Sequence, residues 1–155
     1  MRRTDREITD KQFIEAFSAK EQILRIAFYD NGEIYIVPLN YGYLYENDKY
    51  SFYFHGAKAG RKFELSKSEP SVGFEIDGNY QLLKGENACT HSASFQSVIG
   101  TGTLHVVENK NEKKSGLNAI MKQITQKADW SYEDKEMEAV AVFRLDVDKI
   151  SCKAK

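Results

Sequence analysis

The 155-residue chain is poor in cysteine, proline and tryptophan, with two, two and one respectively, and contains no apolar run of membrane-spanning length. Cys89 and Cys152 lack C-x-x-C spacing and suit reduced thiols better than a disulfide framework. The basic opening Met1-Arg2-Arg3 leads into Asp5 and Glu7 with no apolar stretch behind it, so it reads as neither a signal peptide nor a membrane anchor. A cytoplasmic protein is the default expectation. A net charge of -1 gives no general attraction to nucleic acid, so any affinity for an anion must be local. P-loop, GxSxG and GxGxxG patterns are missing, and Gly100 and Gly102 lie inside a strand pattern. Cys89, His91 and His105 do not complete a zinc spacing.

What the chain has is aromatic and alternating. Nine Tyr, nine Phe and 41% hydrophobic residues in this length predict a single domain, residues 1–155, around one core. Thr9 to Gln12 has capping-box spacing, and Phe13, Ile14 and Phe17 share a face, predicting a helix from Asp10 to Ala19. Strand patterns follow at Gln22–Tyr29 and Glu33–Tyr45, joined by an Asn31-Gly32 hairpin turn, with Pro38 interrupting the second as a bulge or edge. Asn47 to Lys49 reads as a turn, Tyr50–His55 as a strand and Ala59–Ser68 as a short helix. Ser71–Asp77, Tyr80–Ala88 and Phe95–Glu108 read as further strands. Asn109 and Glu112 cap a helix reaching Lys127. Ala139–Val147 closes the chain as a strand whose apolar residues fall on both parities, suggesting a bulge. About six strands and three helices with mostly antiparallel connections favour a small β-barrel with helical covers over a doubly wound sheet.

The segment from Tyr50 to Pro70 carries the candidate chemistry. A strand ends at His55, a loop containing Gly56 and Gly60 lets backbone approach a ligand, and Arg61 and Lys62 follow at once. Arg supplies a planar donor fork and Lys a point charge, which together suit a phosphate dianion. The same two residues could instead form a solvated helix face pairing with Glu64 or Glu69. The His55 imidazole could exchange a proton with a ligand near neutral pH, or cap the loop by bonding a backbone carbonyl. Trp130 and Tyr132 could line a pocket or pack the preceding helix.

Five segments in order, MRRTDREITD, IYIVPLNYGY, FYFHGAKAGRKFELSKSEPSVGFEID, SFQSVIGTGTLHVVE and LNAIMKQI, resemble the pyridoxamine 5′-phosphate oxidase-like flavoproteins, most closely their nitroimidazole-resistance branch. The resemblance implies a six-stranded antiparallel split barrel with helical covers and a homodimer holding a flavin at the subunit interface. It implies FMN, with FAD left open, gripped at its phosphate by Arg61 and Lys62 beside Gly56, Gly60 and His55. It places Val37, Pro38, Leu39 and Asn40 beside the flavin ring, and Ser97 and Val98 near it. His55 becomes the candidate catalytic residue, NAD(P)H the reductant, and a small molecule such as a nitroimidazole the electron acceptor. A non-catalytic flavin carrier is the alternative. Where relatives often carry a Trp, this chain has Thr90-His91-Ser92.

Overall fold

Apolar side chains at alternate positions of Ile23–Asp30 and Lys49–Ala57 give strands whose inner faces are buried, and the remaining strands wrap around them. The structure, a computed structural model, describes residues 3–46 and 48–155. Eight strands form one sheet: β1 (Glu7–Ile8), β2 (Ile23–Asp30), β3 (Glu33–Asn40), β4 (Gly42–Glu46), β5 (Lys49–Ala57), β6 (Ser71–Leu83), β7 (Ser92–Val106) and β8 (Val140–Ala154). Among the described residues four α-helices accompany it: α1 (Lys11–Lys20), α2 (Arg61–Ser66), α3 (Lys110–Thr125) and α4 (Asp134–Ala139).

Strand order is β3-β2-β6-β7-β8-β5-β4, with β1 added to the far end of β8, and every pairing is antiparallel. The sheet curls into a split barrel that does not close, leaving β3 and β4 as its two ends. Leu24, Ile26, Phe28, Phe52, Phe54, Phe74, Val98, Leu104, Phe143 and Leu145 fill its interior. A second apolar cluster lies outside the barrel, where Leu117 and Ile120 of α3 and Met137 of α4 cover Tyr53, Val107 and Val142. Gln123 of α3 donates to the carbonyls of Ser18 at 2.7 Å and Glu21 at 2.6 Å, satisfying groups that α1 leaves open at its C-terminal end. No helix among the described residues is long and apolar enough to cross a membrane.

The split-barrel expectation holds, with more elements than the sequence pattern indicates. Pro38 does not interrupt its strand: β3 pairs with β2 from Glu33 to Asn40, and Pro38 sits opposite Arg25 on an edge strand, where a missing N–H costs no ladder bond. The break comes at Tyr41, whose buried hydroxyl donates to Ser18 O at 2.6 Å. The expected strands at Ser71–Asp77 and Tyr80–Ala88 are one strand with a register shift between Gly78 and Gln81, while Ala88–Thr90 is a 3-10 turn. The helix expected over Ala59–Ser68 is confined to Arg61–Ser66. Mixed parity in the last strand arises because both its faces are covered: Phe143 and Leu145 enter the barrel while Val142 meets α3 and α4. The register shift lies further along, where Thr101 and Gly102 of β7 oppose Lys149 and Val147. Helix α4, held by a reciprocal capping box between Glu133 and Glu136, is not marked by the apolar spacing. Asn47 and Arg2 lie outside the described residues, although Asp48 has the left-handed conformation (φ 60°) of a turn.

Candidate functional site

The two faces of β5 determine what each residue after Phe52 can reach. Phe52 and Phe54 point into the barrel, whereas Tyr53 and His55 point outward beneath α3. Gly56 returns to the inner parity, and a Cβ there would stand 2.7 Å from Lys62 Nζ, so any side chain at this position would oblige that ammonium to shift. Gly60, at φ +90°, starts α2 in a conformation that L side chains rarely adopt. The strand end, the two glycines and the start of α2 thereby direct Lys62 back over the end of the barrel.

Lys62 has no carboxylate partner among the described residues. Its ammonium donates to the carbonyl of His55 at 3.3 Å and stands 5.7 Å from the Phe54 ring centre and 5.0 Å from that of Phe143. Burial against these rings lowers its pKa from the ordinary lysine value, as expected of a cation deprived of water without a counter-charge. Arg61 is differently placed. It pairs with neither Glu64 nor Glu69; its guanidinium donates to Asp30 at 2.8 Å and Glu33 at 2.9 Å and lies 4.8 Å from the Tyr35 ring centre. Glu64 instead pairs with Lys67, and Glu69 with His105. Arg61 thus spans the opening of the barrel, joining the β2–β3 hairpin to α2. Pattern reading missed Asp30, Glu33 and Tyr35; acidic residues on both sides of Asn31-Gly32 were the available signal.

His55 makes no ring hydrogen bond among the described residues, so the carbonyl cap is not formed. Its imidazole borders a cavity of about 260 Å³ shared with Leu117, Ile120, Met121, Tyr132 and Glu136. Partial burial and, secondarily, the Lys62 charge lower its pKa, favouring the neutral ring. Tyr132 does line this cavity, its hydroxyl donating to Asn118 at 3.1 Å, whereas the Trp130 indole donates to Lys127 O at 3.0 Å.

The remaining predicted residues divide between two surfaces. β3 begins beside Arg61, and at about 3.4 Å per residue Val37 to Asn40 lie about 14 to 24 Å along it from Glu33. Val37 and Leu39 pack on the core, Pro38 and Asn40 face outward, and Asn40 donates to Gln22 O at 3.1 Å. As an end strand, β3 has one row of backbone groups without a strand partner. Ser97 is on the outer face of β7 in a separate shallow cavity with Glu7, Ile99, Ser151 and Lys153. Val98 is fully buried, its backbone laddered between Ile76 and Cys152. The structure therefore gathers His55, Gly56, Gly60, Arg61 and Lys62 at one end of the barrel, connects them to Val37–Asn40 through β3, and leaves Ser97 and Val98 apart. No group of three or more His, Cys, Asp or Glu arranged to hold a metal occurs among the described residues.

Residues 10–154 match the family model for pyridoxamine 5′-phosphate oxidase. The chain belongs to the pyridoxamine 5′-phosphate oxidase family. Among solved structures, it is similar to a candidate 5-nitroimidazole antibiotic resistance protein of Bacteroides thetaiotaomicron, with 29% identity, 96% of this chain and 86% of that chain covered and a TM-score of 0.80. It shares its fold with an FAD- and haem-binding protein of Mycobacterium smegmatis at 15% identity, covering 97% of this chain and 73% of that one, TM-score 0.83. An FAD-binding protein of Mesorhizobium loti is also similar, at 18% identity and 97% coverage of both chains, TM-score 0.65. None of the curated proteins matches. Within the pyridoxamine 5′-phosphate oxidase family, this chain therefore has a fold found in flavin-binding proteins.

Proposed function

We propose that this chain is an FMN-dependent oxidoreductase of the nitroimidazole-resistance type, carrying electrons from NAD(P)H to a small acceptor. The observation that carries the reading is Lys62: a half-buried ammonium over two aromatic rings, with no carboxylate against it, is the complement of a phosphate. Arg61 supports it, because a guanidinium held by two partly exposed carboxylates can give one of its edges to a phosphate at modest cost. The edge of β3 then offers backbone groups, beside Val37, Pro38, Leu39 and Asn40, to the polar side of a flavin ring. Bound flavin would supply the hydride and electron chemistry; the chain binds, orients and shields it. Gly56 and Gly60 admit the phosphate, and His55 lends its backbone carbonyl to the Lys62 ammonium, while its ring, on the other side of β5, would exchange a proton with a ligand in the cavity beneath α3.

The proposal includes a homodimer with flavin at the subunit interface, where Ser97 and Val98 would serve the partner's flavin. Tyr29, Ile34 and Ile36 are more than half exposed on the outer faces of the paired strands β2 and β3, an apolar patch suited to a second copy. FAD in place of FMN is decided by binding. Anaerobic NADH or NADPH should bleach the reconstituted flavin, and a nitroimidazole should restore its colour. Bound flavin unaffected by either nucleotide and by several acceptors would favour the carrier.

A further inference from the structure

The cavity beside His55 lies on the other side of β5 from Lys62. His55 links the two places: its carbonyl accepts from the Lys62 ammonium at 3.3 Å, while its ring turns outward beneath α3. Aliphatic side chains of Leu117, Ile120 and Met121 and the Tyr132 ring line the cavity. Its 260 Å³ is below the roughly 300–1,000 Å³ of drug-sized pockets, so it suits a molecule of one or two rings.

Two polar groups border these apolar walls. Neither nitrogen of the His55 ring has a hydrogen-bond partner among the described residues, so its neutral ring offers one acceptor and one donor. Glu136 has one carboxylate oxygen committed, accepting from the Glu133 N–H at 3.0 Å, and no cation is paired with it among the described residues. A ligand that pairs with both an imidazole acceptor and a carboxylate must itself bring N–H donors. A negatively charged ligand of the same shape would meet Glu136 with like charge. Tyr132 is held in place by its bond to Asn118, so the aromatic wall is fixed before any ligand arrives.

We propose that the cavity formed by Leu117, Ile120, Met121 and Tyr132, with His55 and Glu136 at its edge, binds a flat one- or two-ring molecule bearing N–H donors, neutral or cationic. The site is separate from the phosphate site at Lys62 and stands whether or not flavin binds there.

Benzamidine and benzoate, which share a ring and differ in the charge of its substituent, serve as probes by isothermal titration and ligand-observed NMR on the full chain. Benzamidine should saturate at one molecule per chain and bind at least about tenfold more tightly than benzoate, equivalent to about 1.4 kcal/mol. Met121→Trp, at a partly exposed position of α3, should fill the cavity and abolish binding. Glu136→Gln, which keeps an oxygen for the Glu133 N–H, should erase the preference for benzamidine. Flavin content, read separately by absorbance, should be unchanged in both variants, so failure here is distinguishable from failure of the flavin reading. Equal binding of the two probes, no saturable binding of benzamidine, or wild-type binding by Met121→Trp would overturn the assignment.

Discussion

Two neighbouring cations are held in opposite ways, and this contrast makes each testable by itself. Lys62 is desolvated without a counter-charge, so removing it should relieve a cost in the empty protein while removing a charge-assisted bond from the loaded one. Lys62→Ala should therefore leave the melting temperature equal or higher and weaken FMN by about 1.5–3 kcal/mol, roughly ten- to 150-fold, in an equilibrium titration. Arg61 is committed to Asp30 and Glu33, so a phosphate must compete with them. Glu33→Gln should tighten FMN by about two- to fivefold, the scale of an exposed ion pair, measured by the same titration. Affinity should also depend on pH. It should rise as the phosphate takes its second charge near about pH 6 and fall at alkaline pH as Lys62 deprotonates, earlier than an ordinary lysine at about 10.4. For His55, whose folded pKa is lowered, the unfolded chain binds more protons below about pH 6.5. Its contribution to stability is therefore complete above that value and lost as pH falls. His55→Gln should flatten the acid-side decline in melting temperature.

The strand and the loop after it connect these residues, and they were legible in the sequence to different depths. The run Tyr50–His55, the two glycines and the Arg61-Lys62 pair lie together in sequence, so their proximity could be read directly. The Asp30 and Glu33 clamp could not, because it depends on the curl of the barrel bringing the β2–β3 hairpin to the start of α2. Pattern also could not show that β8 is covered on both faces, since a strand with two buried faces and a strand with a bulge leave the same mixed parity. The two readings of His55 required its surroundings, which come from α3 and α4, about sixty and eighty residues further on. Gly56→Ala tests the element directly. A methyl group at that position meets Lys62 Nζ, so FMN affinity should fall several-fold while circular dichroism stays unchanged.

At the scale of the molecule, the sheet is a barrel left open between its end strands, with helices over one side and, on the other, an apolar patch on β2 and β3 beside the Arg25–Glu75 and Arg25–Asp77 ion pairs. α3 and α4 cover the outside of β5 and β8, but Tyr29, Ile34 and Ile36 on the outer faces of β2 and β3 have no covering element among the described residues. A patch of this kind on neighbouring strands is expected at an interface between copies. If the chain forms the proposed homodimer, Ile36→Glu should convert it to monomer in light scattering and lower flavin occupancy with it, because the flavin is proposed to lie between subunits. A monomeric wild-type protein that holds flavin at full occupancy would separate cofactor binding from assembly.

Lys62 and Arg61 are proposed to receive the phosphate of a flavin. FMN and riboflavin differ by that group alone, so the ratio of their affinities isolates it. For the wild-type chain, fluorescence titration should give FMN an advantage over riboflavin of at least about tenfold, and Arg61→Ala/Lys62→Ala should reduce that advantage to nearly one. Equal affinity of the wild-type protein for the two flavins, or an unchanged ratio in the double variant, would mean that Lys62 and Arg61 do not hold the phosphate.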